Sequence, residues 1–182
     1  MGAAPKPEGE AARLSALRSY DILDTLPEVE FDDIVQLASD ICGVPIALVS
    51  LVDGERQWFK AKTGLAAQET HRDLAFCAHA ILDPNKMLIV EDATKDERFA
   101  ANPLVTGAPD IRFYAGQPLL TPDGDALGTL CVIDTEPRKL DANQIAALET
   151  LSSHVVLLLE KRKAEAELLL ERERLKLSLI HI

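Results

Sequence analysis

The sequence predicts an α+β fold: a central antiparallel β-sheet with helices packed on one face. Three observations carry it. Two strand–turn–strand units, one around Asp53-Gly54 and one around Pro122-Asp123-Gly124-Asp125, read as hairpins. Amphipathic helical patterns stand before the first unit and after the last. The order helix, helix, strand, strand, helix, strand, loop, strand, strand, long helix leaves direct hairpin connections as the natural way to build the sheet.

From the N-terminus, residues 1–10 are an Ala/Pro/Glu-rich lead expected to be disordered. Leu14, Leu17, Tyr20 and Ile22 mark a first amphipathic helix. Thr25-Leu26-Pro27-Glu28 reads as a capping box opening a second. Phe31, Ile34, Val35, Ala38 and Ile41 follow at helical spacing, and Gly43 stops it. The apolar run Pro45–Val52 is a central strand buried on both faces. The returning strand Glu55–Lys62 is expected to alternate, with Gln57, Phe59 and Ala61 on one face and Trp58, Lys60 and Lys62 on the other. Gly64–His71 reads as loop and Leu74–Leu82 as a two-turn helix. Met87–Glu91, Ile111–Leu120 and Leu127–Asp134 are further strands. Asp141 caps a last helix whose pattern continues to the end of the sequence.

The 182 residues carry a net charge of −11, and 47% are hydrophobic. Mean hydropathy is near zero. This fits one domain with a real core plus extra helix. The acidic surface argues against nucleic acid as a partner. No run approaches the ~20 apolar residues of a membrane span. With no secretory signal pattern at the start, the expectation is a cytoplasmic protein without membrane insertion. Cys42, Cys77 and Cys131 form no CxxC pair, which indicates neither a disulfide framework nor a zinc site.

Between Glu160 and Lys176 charges of both signs alternate. Leu168, Leu175 and Ile182 recur every seven residues, with Ala164 on the same seam. They are out of register with Ile145, Ser152 and Leu159. A coiled coil with a shifted register is one reading and a solvated single helix the other.

Several segments together resemble the bacterial GAF domain family. They are Tyr20–Glu28 with Phe31-Asp32, Pro45–Asp53, Arg56–Lys60, Ala75–Ile81, Asp92-Ala93, Asp96–Phe99, Asn102–Val105, Arg112–Leu119 and Gly128–Asp134. The resemblance spans roughly Leu14 to Arg162. It implies a GAF-like central antiparallel sheet with the terminal helices on one face. A pocket-forming short helix and loops would cover the other, and a long C-terminal signalling helix would follow. The domains expected are 11–160 as the sensory unit and 161–182 as a helical linker or coiled coil that breaks off before an effector or PAS domain.

What the resemblance implies for function is a bacterial two-component-type sensory module. It would be non-catalytic and would bind an unidentified small molecule. It would signal through a homodimeric terminal helix to an output domain in the same polypeptide, such as a histidine kinase or diguanylate cyclase. A ligand-free dimerisation scaffold is the alternative. Bilin or haem sensing and cysteine-dependent methionine sulfoxide reduction are further readings, and the sequence names no cofactor. Candidate ligand-binding residues are Trp58, Arg72, Phe76, Cys77, His79, Asp92, Arg98, Asn102, Arg112 and Tyr114; no catalytic or metal residues are expected. Arg98 and Arg112 suit an anionic ligand, or Arg98 pairs with Asp92 or Asp96 and staples its own segment. Trp58 either stacks on a ligand ring or covers the sheet. Cys77 and His79, about 200° apart on a helix, would not face one ligand together.

Overall fold

A computed structural model describes residues 2–181. Six strands form one antiparallel sheet in the order β3-β2-β1-β6-β5-β4. The strands are β1 (Ile46–Val52), β2 (Arg56–Thr63), β3 (Glu69–His71), β4 (Leu88–Val90), β5 (Phe113–Leu120) and β6 (Ala126–Asp134). Helices α1 (Glu10–Ser19), α2 (Val29–Cys42) and α5 (Ala142–Ile180) cover one face. The other carries the short α3 (Phe76–Ala80), α4 (Pro103–Thr106) and two single 3₁₀ turns. The α+β architecture stands as expected.

Each face has its own core, because successive residues of β1 point to opposite sides. Val49 and Leu51 join Phe31, Val35, Leu148, Val155 and Leu159 beneath the helices. Ile46, Leu48 and Val52 join Phe76, Phe99, Ile111 and Tyr114 on the opposite side. Burial on both faces explains why β1 reads as an almost wholly apolar run, and every residue of β6 is buried too.

Four local expectations are corrected. The alternation of β2 breaks at a bulge, where β1 pairing steps from Ala61 to Phe59 and passes over Lys60. Ala61 therefore joins Trp58 in the helix-side core. Thr25 does not cap α2. Its hydroxyl donates to the Ile22 carbonyl, and Glu28 stands at the cap position. The supposed loop 64–71 contains the edge strand β3, which pairs with Arg56–Trp58. The expected Leu74–Leu82 helix is interrupted by extended backbone at Ala75 and is helical only from Phe76.

Gly43 ends α2 in the left-handed conformation, as its position implies. The Asp141–Gln144 capping box opens α5, which runs unbroken for 39 residues. From Ala164 onward every described residue of α5 is exposed, including Leu168 and Leu175. Ile182, assigned to the same seam, lies outside the described residues.

Candidate functional site

The face opposite the helices is where α3 and α4 lie over the sheet, and most of the space beneath them is filled. Phe76 stacks on Phe99 with ring centroids 4.0 Å apart, and Tyr114 tilts against Phe76 at 5.2 Å. Below this aromatic plug the Tyr114 hydroxyl donates to Cys77 Sγ at 3.2 Å, and Thr129 Oγ1 lies 3.0 Å from the same sulfur. Contact with the neighbouring Cys77 and complete burial push the Cys131 thiol well above its ordinary value. Burial and the adjoining sulfurs push the Tyr114 phenol up too. This is a hydrogen-bonded polar knot in a fully buried core.

Beside the plug the packing opens into a cleft of about 220 Å³. Ile46 and Leu48 of β1, Phe59 of β2 and Ile133 of β6 make its floor. Leu104 of α4, Pro109 and Ile111 make one wall, and Leu65 with Ala67 the other. The polar contribution comes from Gln57 and Thr70. Gln57 Oε1 accepts from Ser50 at 3.0 Å, and its Nε2 donates to Thr70 Oγ1 at 2.6 Å. Larger hollows lie open along the surface, one between α3 and β4 and one between α5 and β5.

The structure scatters the residues singled out by sequence. Phe76, Cys77 and Tyr114 meet in the plug and its knot. Trp58 lies on the other side of the sheet, in the core beneath the helices, because β2 turns that face toward α2. Arg72 is buried away from the cleft. It binds Glu10 and the Asp53 carbonyl, and its Nη2 has no partner. Asp92 and Asn102 cap a 3₁₀ turn and α4 through the Thr94 and Leu104 amides. Arg98 is held in a two-point pair by Asp96. Arg112 donates to the carbonyls of Val105 and Ile111. His79 sits edge-on to Phe99 at the groove between α3 and β4. Burial and the Arg98 charge push its pKa below the ordinary value. Cys77 thus points into the core and His79 toward the surface groove.

The aliphatic cleft residues had no chemical signature in the sequence beyond the two-residue spacing of Ile46 and Leu48. A second feature without a motif is the cluster of Glu10 with Arg13 and Arg72, all three nearly buried. Burial opposes ionisation there, but hydrogen bonds from both arginines hold the Glu10 carboxyl down at about 2. Arg13 also donates to the Ala126 carbonyl, so the cluster ties α1 to the turns at that end of the sheet. Among the described residues no three His, Cys, Asp or Glu side chains converge as a metal set, and no helix is long and apolar enough to cross a membrane.

Comparison with known proteins bears on this geometry. The GAF domain family profile matches residues 27–159. A Pseudomonas aeruginosa protein named cyclic di-GMP phosphodiesterase is 45% identical over 150 residues, which are 82% of this chain and 25% of that protein. The chain therefore spans about a quarter of that relative's length. The GAF domain of a Coxiella burnetii phosphoenolpyruvate-protein phosphotransferase superposes with a TM-score of 0.64 at 16% identity, covering 85% of this chain and 96% of that one. The corresponding Acinetobacter domain gives 0.60 at 19% identity, covering 86% and 98%. The expectation of a protein that is not an enzyme is overturned by the relative whose printed name is that of a phosphodiesterase. The six-stranded sheet, the helical layer behind it, the lidded face in front and the profile match lead to one assignment: the chain belongs to the GAF domain family.

Proposed function

We propose that this GAF domain is the sensory and regulatory unit of a longer enzyme that acts on cyclic di-GMP. The observation that carries the reading is the 45% identity over 150 residues to a protein named for that phosphodiesterase, within which the matched region is about a quarter of the length. The cleft under α4 is the sensory pocket. α5 is the output element.

The sheet is the link between them. Leu48 of β1 lines the cleft while its neighbour Val49 packs beneath the helices. Ile133 and Val132 of β6 divide in the same way. A ligand that displaces either strand therefore changes the surface on which Leu148, Val155 and Leu159 of α5 rest. The exposed Leu168 and Leu175 lie on one seam of α5 and suit pairing with a second copy in the longer protein.

A chimera tests this reading. This chain replaces the matched 150 residues of the Pseudomonas relative, and turnover of cyclic di-GMP is followed. The chimera is expected to turn over substrate at a rate that changes when Ala67→Trp blocks the cleft mouth. Turnover that is identical in the chimera, in the blocked variant and in a protein lacking the segment would refute a regulatory role. Cysteines placed at Leu168 and Leu175 of the chimera are expected to cross-link between subunits.

A further inference from the structure

We infer that the cleft takes a small, uncharged, largely apolar molecule, aromatic or branched-chain in build, with one hydrogen-bond acceptor held by the Thr70 hydroxyl. The inference rests on reading the cleft as the sensory pocket, and three features of its walls narrow the occupant.

Size is the first. A volume of about 220 Å³ exceeds the ~150 Å³ void that accepts benzene. It falls below the ~300–1,000 Å³ of sites for drug-sized ligands. The occupant is therefore a molecule of about ten non-hydrogen atoms. A haem, a linear tetrapyrrole and a cyclic dinucleotide are all too large.

Charge is the second. Among the described residues no ionisable side chain lines the cleft. The cations anchored beside it are engaged elsewhere. Arg112 donates to the Val105 and Ile111 carbonyls, and Lys62 donates to the Ala66 and Ala67 carbonyls. A carboxylate or phosphate inside would shed its hydration with no counter-charge in the wall, and that loss opposes binding strongly.

Polarity is the third. Ser50 donates to Gln57 Oε1, which leaves Gln57 Nε2 to donate to Thr70 Oγ1. The Thr70 oxygen is thereby used as an acceptor. Its hydrogen has no acceptor among the described residues, and Thr70 lines the cleft. The wall offers the Thr70 hydroxyl hydrogen and, beside it, the second Gln57 Nε2 hydrogen as donors in an otherwise hydrocarbon surface, so the matching ligand group is a carbonyl or ether oxygen.

The test titrates methyl-labelled protein with three probes of nearly equal shape: acetophenone, ethylbenzene and benzoate. The methyl resonances of Leu48, Leu104 and Ile111 report occupancy. Acetophenone is expected to shift them and saturate, with ethylbenzene about fivefold weaker for want of one neutral hydrogen bond. Benzoate is expected to bind about a hundredfold more weakly than acetophenone. Thr70→Val should narrow the difference between acetophenone and ethylbenzene, and Ala67→Trp should abolish binding of both. If benzoate binds at least as well as acetophenone, or if none of the three moves these methyls at millimolar concentration, the ligand class is overturned. The sensory reading is judged apart from this, by whether Ala67→Trp alters turnover in the chimera.

Discussion

Replacing Glu10 by glutamine removes the carboxylate that pairs with both Arg13 and Arg72, whose side chains are 5% and 6% exposed. Both guanidiniums then stay buried without an anion, and Arg72 already has one nitrogen without a partner. The size of the effect follows from proton linkage. The Glu10 carboxyl ionises at about 2 in the folded protein against an ordinary 4.5. At roughly 1.36 kcal/mol per pH unit this corresponds to about 3 kcal/mol of stability. The folded value is the depressed one, so the contribution is complete above the unfolded value and fades as pH falls toward the folded value. It is about 3 kcal/mol at pH 7, about 2.5 at pH 4 and about 1.5 at pH 3. Urea denaturation of the wild type and Glu10→Gln at these three pH values measures it. With a slope of about 2 kcal/mol per molar urea, the midpoints should differ by about 1.5 M at pH 7 and about half as much at pH 3. A difference under 1 kcal/mol at pH 7, or one that does not shrink with acid, would refute the claim that Glu10 neutralises a buried pair of arginines.

Three further outcomes are expected. Gly64→Ala places a methyl group 1.9 Å from the Pro45 carbonyl oxygen at a position with φ of +78°, which should cost 3 kcal/mol or more, roughly, by urea denaturation. Tyr114→Phe removes the hydroxyl that donates to Cys77; a loss of about 1 kcal/mol in chemical denaturation, with the Phe76–Phe99 stack retained, is the expected result. Asp141→Ala breaks the capping box of α5 and should lower stability by about 1 kcal/mol, with faster amide exchange confined to the first turn of that helix.

The sheet was legible because its signals are local. Asp53-Gly54, the apolar run of β1 and the cap at Asp141 each act within a few residues, and each appears where it was read. What escaped depends on partners distant in the chain. β3 is three residues long and mostly exposed, and only its pairing with Arg56–Trp58 makes it a strand. α2 begins at Val29 rather than at Thr25, and Lys60, on the helix side of β2, binds both Thr25 and the Glu28 carboxylate. The site shows the same division. A search for chemistry in the sequence picks out arginines, aspartates and asparagines. Here Asp92 and Asn102 cap turns, while Arg98 and Arg112 staple loops. The cleft is lined by leucines and isoleucines, which look like any other core residues until the fold leaves a gap among them.

The unbroken course of α5 bears on the phase between the domain and whatever lies along its axis. From Ala142 to Ile180 the helix contains neither glycine nor proline. Its last exposed portion, beginning at Ala164, stands about 25 Å beyond the body at 1.5 Å per residue. Such a rod transmits rotation as faithfully as displacement. Tilting its anchored half by a few degrees carries the far end through one or two ångströms. Inserting a single residue turns everything beyond it by about 100°, whereas inserting seven nearly restores the original facing. For the output role proposed for α5, the spacing of the exposed leucines would set an angle. Adding residues one at a time after Arg162 should make a signal carried along this helix rise and fall with a seven-residue period.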